Sequence, residues 1–93
     1  MNTNEDYIVK IAKALSDKTR IKILGEIAKK KSINCSEAEK IAELSQPTVS
    51  HHLRILTEAG LLTAVKDGRF TIITVNQKAL DEFSSLITNV VTK

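Results

Sequence analysis

Ser45-Gln46-Pro47-Thr48-Val49-Ser50-His51-His52-Leu53-Arg54-Ile55-Leu56-Thr57-Glu58-Ala59-Gly60 reads as one helix with a signal at each end. The Ser45 hydroxyl is placed to accept from the free N–H groups of a first turn, and Pro47 falls where a missing N–H costs nothing. Gly60 is the residue type that ends a helix. At about 100° per residue, Val49, Leu53 and Leu56 fall together and are expected to be buried. Pro47, His51 and Arg54 fall opposite, flanked by Ser50 and Thr48, with Gln46 at the start. The outward set is an amide, hydroxyls, an imidazole and a guanidinium, and no acid occurs between Gln46 and Thr57. Glutamine suits adenine edges, arginine suits guanine edges or phosphate, and hydroxyls suit either. Taken alone, such a face is as well explained by simple solvation, so its neighbours have to decide.

Upstream, Glu43-Leu44-Ser45 reads as a tight turn after a short helix that begins near Ser36. Ala38, Ile41 and Ala42 face inward there, while Glu37, Glu39 and Lys40 are solvated, the two acids near the positive end of the helix dipole. A longer helix, Lys18 to Lys30, follows the capping pair Ser16-Asp17 and ends in a lysine run; its spacing predicts Ile21, Leu24, Ile27 and Ala28 on the inner side. Before it, Ile8, Ile11, Ala12 and Leu15 follow the i, i+3, i+4, i+7 spacing of an apolar helix face.

Downstream the period changes. Leu62–Lys66 and Phe70–Val75 are β-rich runs about Asp67-Gly68, a hairpin signal because the turn needs positive φ. A final helix starts near Gln77 with Leu80, Phe83, Ile87 and Val90 on one face. The order α-α-α-α-β-β-α, mainly α with a β-hairpin wing, is that of a winged helix-turn-helix. A short strand near Ile33 gives no signal strong enough to assign. The expected domain is residues 1–93, with terminal helices at about 5–15 and 77–91. Ile8, Ile11 and Leu15 together with Leu80, Phe83, Ile87 and Val90 offer more apolar surface than a chain of 93 residues readily covers, which points to a homodimer interface.

The composition fits this reading. Hydrophobic residues at 42% and charged residues at 27% are ordinary for a globular protein, and the net charge of +3 is a mild prompt toward nucleic acid. There is no charged-then-apolar leader and no membrane-length apolar run, so the cytoplasm is the expected compartment. Three glycines and the absence of a nucleophile–base pair, a phosphate-cradling loop or a metal cluster argue against an enzyme and call for no cofactor. Cys35, the single cysteine, has no partner for a disulfide within the chain. Although it lies near a helix start, where a thiol can become reactive, it is expected to be inert rather than a redox switch.

The residues also resemble a known family. Ala14-Leu15-Ser16-Asp17-Lys18-Thr19-Arg20-Ile21-Lys22-Ile23-Leu24 is similar to the opening signature of the ArsR/SmtB winged-helix repressors. Leu44 through Leu56, with Ala59-Gly60-Leu61-Leu62, resembles their reader helix nearly residue for residue, and Gly68-Arg69 matches the wing. Ile72 and Ile73 stand where the family often has tyrosines. The resemblance implies a homodimer that represses a promoter until an effector releases it. Duplex DNA with an inverted-repeat operator is the implied partner, read by Gln46, Thr48, Ser50, His51 and Arg54 and touched by Lys66 and Arg69 of the wing. The family's metal sites do not carry over. Asn34 and Ser36 occupy the positions of its Cys-x-Cys pair, and the last helix offers only the adjacent Asp81 and Glu82. The alternative reading is a winged-helix module that contacts protein or RNA without operator specificity.

Overall fold

The computed structural model describes residues 4–92. In chain order it contains α1 (Asn4–Ala14), α2 (Lys18–Lys30), α3 (Cys35–Ala42), α4 (Gln46–Glu58), β1 (Leu62–Asp67), β2 (Phe70–Val75) and α5 (Gln77–Thr92). The expected element order is therefore observed, and the residues outside 4–92 lie beyond the described part.

Helices α2 to α5 are each started or stopped by an identifiable group. Asp17 caps α2, its Oδ1 accepting from the backbone N–H of Thr19 at 2.8 Å and of Arg20 at 3.2 Å. Asn34 and Glu37 form a reciprocal capping box on α3, each side chain accepting the other's backbone N–H at 3.0 Å. Glu43 ends α3 in the left-handed region at φ 56°. Ser45 does hold the N-cap position of α4, but its hydroxyl makes no cap bond; Oγ lies 3.1 Å from Thr48 Oγ1 instead. At the other end Gly60, at φ 85°, lets its own N–H reach the Thr57 carbonyl at 2.9 Å and that of Leu61 reach the Leu56 carbonyl at 3.0 Å. Those two bonds satisfy carbonyls that the helix would otherwise leave open.

The core gathers Ile11 and Ala14 from α1, Ile23 and Ile27 from α2, Ala38 from α3, Val49, Leu53 and Leu56 from α4, and Leu61, Leu62 and Ile73 around the hairpin. Two inward assignments on α2 are corrected. Ile21 is 53% exposed and Ala28 is exposed, while Ile23 is wholly buried. The inner face of α2 is centred on Arg20, Ile23 and Ile27, whose spacing of three and four places Ile21 and Ala28 about 100° to one side. In α1, Ala12 is likewise exposed because Ile11 and Ala14 set the inward direction.

β1 and β2 pair antiparallel with Leu62 opposite Val75 and Asp67 opposite Phe70. The hairpin thus closes through Gly68-Arg69, one residue later than the expected centre at Asp67-Gly68. Gly68, at φ 63°, supplies the positive φ at the first central position that a two-residue hairpin loop accepts. Ile33 adds a one-residue third strand, exchanging backbone bonds of 3.0 and 2.8 Å with Ile73. Asn76 then joins three elements: its N–H donates to the Leu61 carbonyl at 2.8 Å, its Nδ2 donates to the Gly60 carbonyl at 3.0 Å, and its Oδ1 accepts from Ala79 N–H at 3.3 Å in the first turn of α5.

The Asp17 carboxyl is held below its ordinary value of 3.8, chiefly by the backbone N–H of Arg20 and further by that of Thr19 and the Arg20 charge. A carboxyl whose folded value is depressed stabilises the fold above its unfolded pKa, and that contribution is lost as pH falls through the lowered value. Asp17→Ala should therefore lower the thermal midpoint near pH 7, and the gap from the unsubstituted chain should narrow as pH drops below about 3.8. Melting curves across that range, followed by circular dichroism, check it; a constant gap would remove the carboxylate from the account.

Candidate nucleic-acid interface

α3 packs on α4 across the turn Glu43-Leu44-Ser45, and β1 packs against the far end of α4. This arrangement turns one side of α4 inward: Val49, Leu53 and Leu56 are buried as their spacing requires. The opposite side is free. Gln46, Thr48, Ser50, His51 and Arg54 are all exposed, so the five side chains singled out from the sequence share one surface.

Their local contacts are few. Arg54 Nη2 lies 3.4 Å from His51 Nδ1, and Arg54 Nε lies 3.8 Å from Glu58 Oε1, both partners of that ion pair being two-thirds exposed. Exposed pairs of this kind contribute little to stability and exchange readily for another anion. The acid-free stretch therefore ends at Glu58, which occupies Arg54 when nothing else does.

Lys66 and Arg69 are exposed on the hairpin. Arg69 sits in the two-residue loop itself, while Lys66 lies within β1 opposite Thr71. A cleft of about 280 Å³ between α4 and the hairpin is lined by Ser50, Leu53, Arg54, Thr57, Ala64 and Ile73 among others. It sets the root of the hairpin beside the outward face of α4. Val65 and Phe70 are 58% and 59% exposed on the hairpin, a pair of large apolar side chains that the sequence reading did not single out.

His52 is a residue to which the sequence alone assigns no role. It turns inward, 8% exposed, and its Nδ1 lies 3.2 Å from Arg20 Nη1. Val49, His52, Leu53 and Leu56 follow the i, i+3, i+4, i+7 spacing of a buried face, so periodicity marks the inward position, whereas the partner Arg20, 32 positions away, gives no local signal.

The positions compared with metal sites are occupied otherwise. Asn34 Oδ1 is engaged by the backbone of Glu37, Ser36 is exposed, and Asp81 accepts from Gln77 Nε2 at 3.1 Å. Among the described residues no three His, Cys, Asp or Glu side chains gather closely enough to hold a metal ion. The side chain of Cys35 lies outside what is described. No described helix is long and apolar enough to cross a membrane.

A helix, a tight turn, a second helix with one polar face free and a two-stranded wing define a winged helix-turn-helix DNA-binding domain. A family model described as a helix-turn-helix domain matches residues 15–65. The transcriptional repressor SdpR of Bacillus subtilis is 30% identical over 83 residues, 89% of this chain and 91% of its own length. The arsenical resistance operon repressor of Staphylococcus aureus is 36% identical over 72 residues, covering 77% of this chain and 68% of that protein. Among solved structures, the homodimeric winged helix-turn-helix DNA-binding domain of a possible ArsR-family regulator from Mycobacterium bovis superposes with a TM-score of 0.75 at 22% identity, over 94% of this chain and 79% of that one. This chain belongs to the ArsR/SmtB family of winged-helix transcriptional regulators.

Proposed function

We propose that the protein is a cytoplasmic homodimeric repressor that reads an inverted-repeat operator with α4 and touches the flanking backbone with its wing. The observation that carries this reading is the outward face of α4, where Gln46, Thr48, Ser50, His51 and Arg54 stand exposed with no carboxylate before Glu58. Gln46, Thr48, Ser50 and His51 occupy the first half of the helix, the part that meets base edges when such a helix enters a major groove. Arg54 lies about one turn further on, within reach of a base or a phosphate. Lys66 and Arg69 meet phosphate or the minor groove.

Two-fold symmetry follows from the terminal helices. Leu15, Leu80 and Phe83 pack on the protomer's own core, and Ile11 is wholly buried in it. Ile8 and Ile87 are only half-buried, and Val9, Val90 and Val91 are about 50–70% exposed. That apolar remainder on α1 and α5 is what a second copy would cover. The radius of gyration, 13.9 Å, exceeds the ~12 Å of a compact chain of this length, as fits a protomer that presents an extended face to a partner. The repressor role is supported by the two relatives named as repressors.

The base and backbone roles give opposite phenotypes. Gln46→Ala or His51→Ala should relax sequence preference, at roughly 1–3 kcal/mol per lost base contact. Lys66→Ala or Arg69→Ala should weaken all sequences about equally and flatten the salt dependence, because fewer counterions are released. Binding isotherms on operator and scrambled duplexes at several salt concentrations separate them. No duplex binding in any form would favour the protein- or RNA-contacting module instead.

Val90→Asp places a charge in the proposed dimer seam while leaving the protomer's core intact. It should shift the sedimenting species from dimer to monomer at micromolar concentration and weaken operator binding with it. A dimer that survives the substitution would locate the seam elsewhere.

Metal control is not part of this function. Zinc, cadmium or arsenite should leave both the dimer and its operator affinity essentially unchanged, since Asn34, Ser36 and α5 lack thiol or imidazole ligands. A tight stoichiometric complex in calorimetry, with release of DNA, would overturn that.

A further inference from the structure

Among the described residues, His52 is the polar side chain buried in the core. Its one bonding partner is Arg20, whose side chain is only 12% exposed and each of whose three nitrogens has a partner. Arg20 Nε donates to the Ala14 carbonyl at 2.7 Å and Nη2 to the Lys13 carbonyl at 3.3 Å, the last carbonyls of α1. Nη1 lies 3.2 Å from His52 Nδ1 and 3.9 Å from Asp17 Oδ2. One side chain thus fastens the end of α1, the start of α2 and the middle of α4.

Chemistry fixes the sense of the contact with His52. A guanidinium has donors and no acceptor, and it keeps its charge at any relevant pH. The imidazole Nδ1 must accept, so the ring is neutral and carries its hydrogen on Nε2. A protonated ring has an N–H at both nitrogens. Protonation would remove the acceptor, set donor against donor at 3.2 Å, and place two like charges in contact within the core.

We propose that Arg20 is a positioning residue for the outward face of α4, which it holds through neutral His52, so that protonation of His52 releases the helix and weakens DNA binding. This rests on the assignment of α4 as the DNA reader.

The charged groups around His52 are few. Arg20 and Asp17 approach from the start of α2; the Asp17 carboxylate, held by the Thr19 and Arg20 N–H groups, makes no hydrogen bond to the ring but is close enough to attract a protonated His52, partly offsetting the repulsion from Arg20. Beyond Arg20, Lys10 and Lys13 of α1 and Glu58 of α4 line the same groove. His51 is the neighbour on its own helix, ring centroids 5.9 Å apart. No hydrogen bond or ion pair reaches His52 from α3 or the hairpin among the described residues. His51 has the opposite sign: it faces outward, and its protonation adds a positive charge toward phosphate.

The test therefore uses His51→Gln as the background. Asparagine at position 52 sets a non-titrating oxygen where Nδ1 stood, so His51→Gln/His52→Asn keeps the acceptor and loses the proton. The probe is a labelled duplex selected from a randomised pool by the His51→Gln chain at pH 8, with binding read by anisotropy across histidine's range of about pH 8 to 5. His51→Gln should lose affinity on acidification, approaching about tenfold per pH unit, the limit for one proton released on binding. The double variant should give a nearly flat profile. Imidazole nitrogen spectra of the unsubstituted chain, free of DNA, should show His52 Nδ1 without hydrogen at pH 8 and a change in α4 amide shifts as it gains one. A flat profile for His51→Gln, an equally steep double variant, or hydrogen on Nδ1 at pH 8 each overturns the proposal. The spectra decide the Arg20 bond even if His52→Asn fails to fold. If the pool yields no duplex, the DNA reading is what fails, and the coupling built on it falls while the bond itself is still judged.

Discussion

Burial of Val49, Leu53 and Leu56 is the constraint on which the rest of the molecule depends. A helix of thirteen residues cannot hold a fixed orientation alone, because helices this short are marginal in water without a packed face. Fixing these three side chains in the core determines which residues remain outside, and therefore which chemistry the protein presents. α2, α3 and the root of the hairpin serve that end: each delivers isoleucine, alanine or leucine side chains to the inner face of α4. With only three aromatic residues in the chain, this core is aliphatic, and burying each such side chain contributes roughly 1.5–3 kcal/mol.

Aliphatic packing sets distance but is tolerant of sliding, and the joints between elements are secured by polar groups. Asn34 and Glu37 lock the start of α3, Arg20 joins α1 to α4, and Asn76 ties the α4–β1 turn to α5. Each bond is directional, so each converts loose proximity into a defined angle. Removing one partner leaves the other unsatisfied in a half-buried place, which costs more than the bond itself contributes.

How much could be read beforehand follows from the range of the signals. The capped α4, the acid-free face and the hairpin were legible because spacing, proline and glycine all act within a few residues. The resemblance carried by Leu44–Leu56 and Gly68-Arg69 then named the family. What escaped was long-range. The helical spacing turns His52 inward, but the partner it meets there, Arg20, lies 32 positions earlier, and the role of Asn76 depends on Gly60, 16 positions earlier. The one-residue shift of the hairpin loop and the exposure of Ile21 show a different limit. Both alternatives satisfy the local pattern, and only the packed neighbours choose between them. Ile33 is the extreme case, since a strand of one residue has no period at all.

The Ile33–Ile73 bridge has a mechanical meaning. Leu62 and Ile73 are buried at the root of the hairpin, whereas residues 63–70 are exposed along their length. The hairpin is therefore anchored chiefly at its root, where it packs on the helices and on Ile33. From Ala64 to Gly68 it projects about 13 Å at the usual rise per residue. A rotation of only about 6° at the root carries Arg69 roughly 1.4 Å sideways, enough to make or break a contact of hydrogen-bond length. Two backbone bonds of 3.0 and 2.8 Å at Ile33 thus help to set the aim of a guanidinium several residues away, and the loop before α3 becomes one sighting point of the wing.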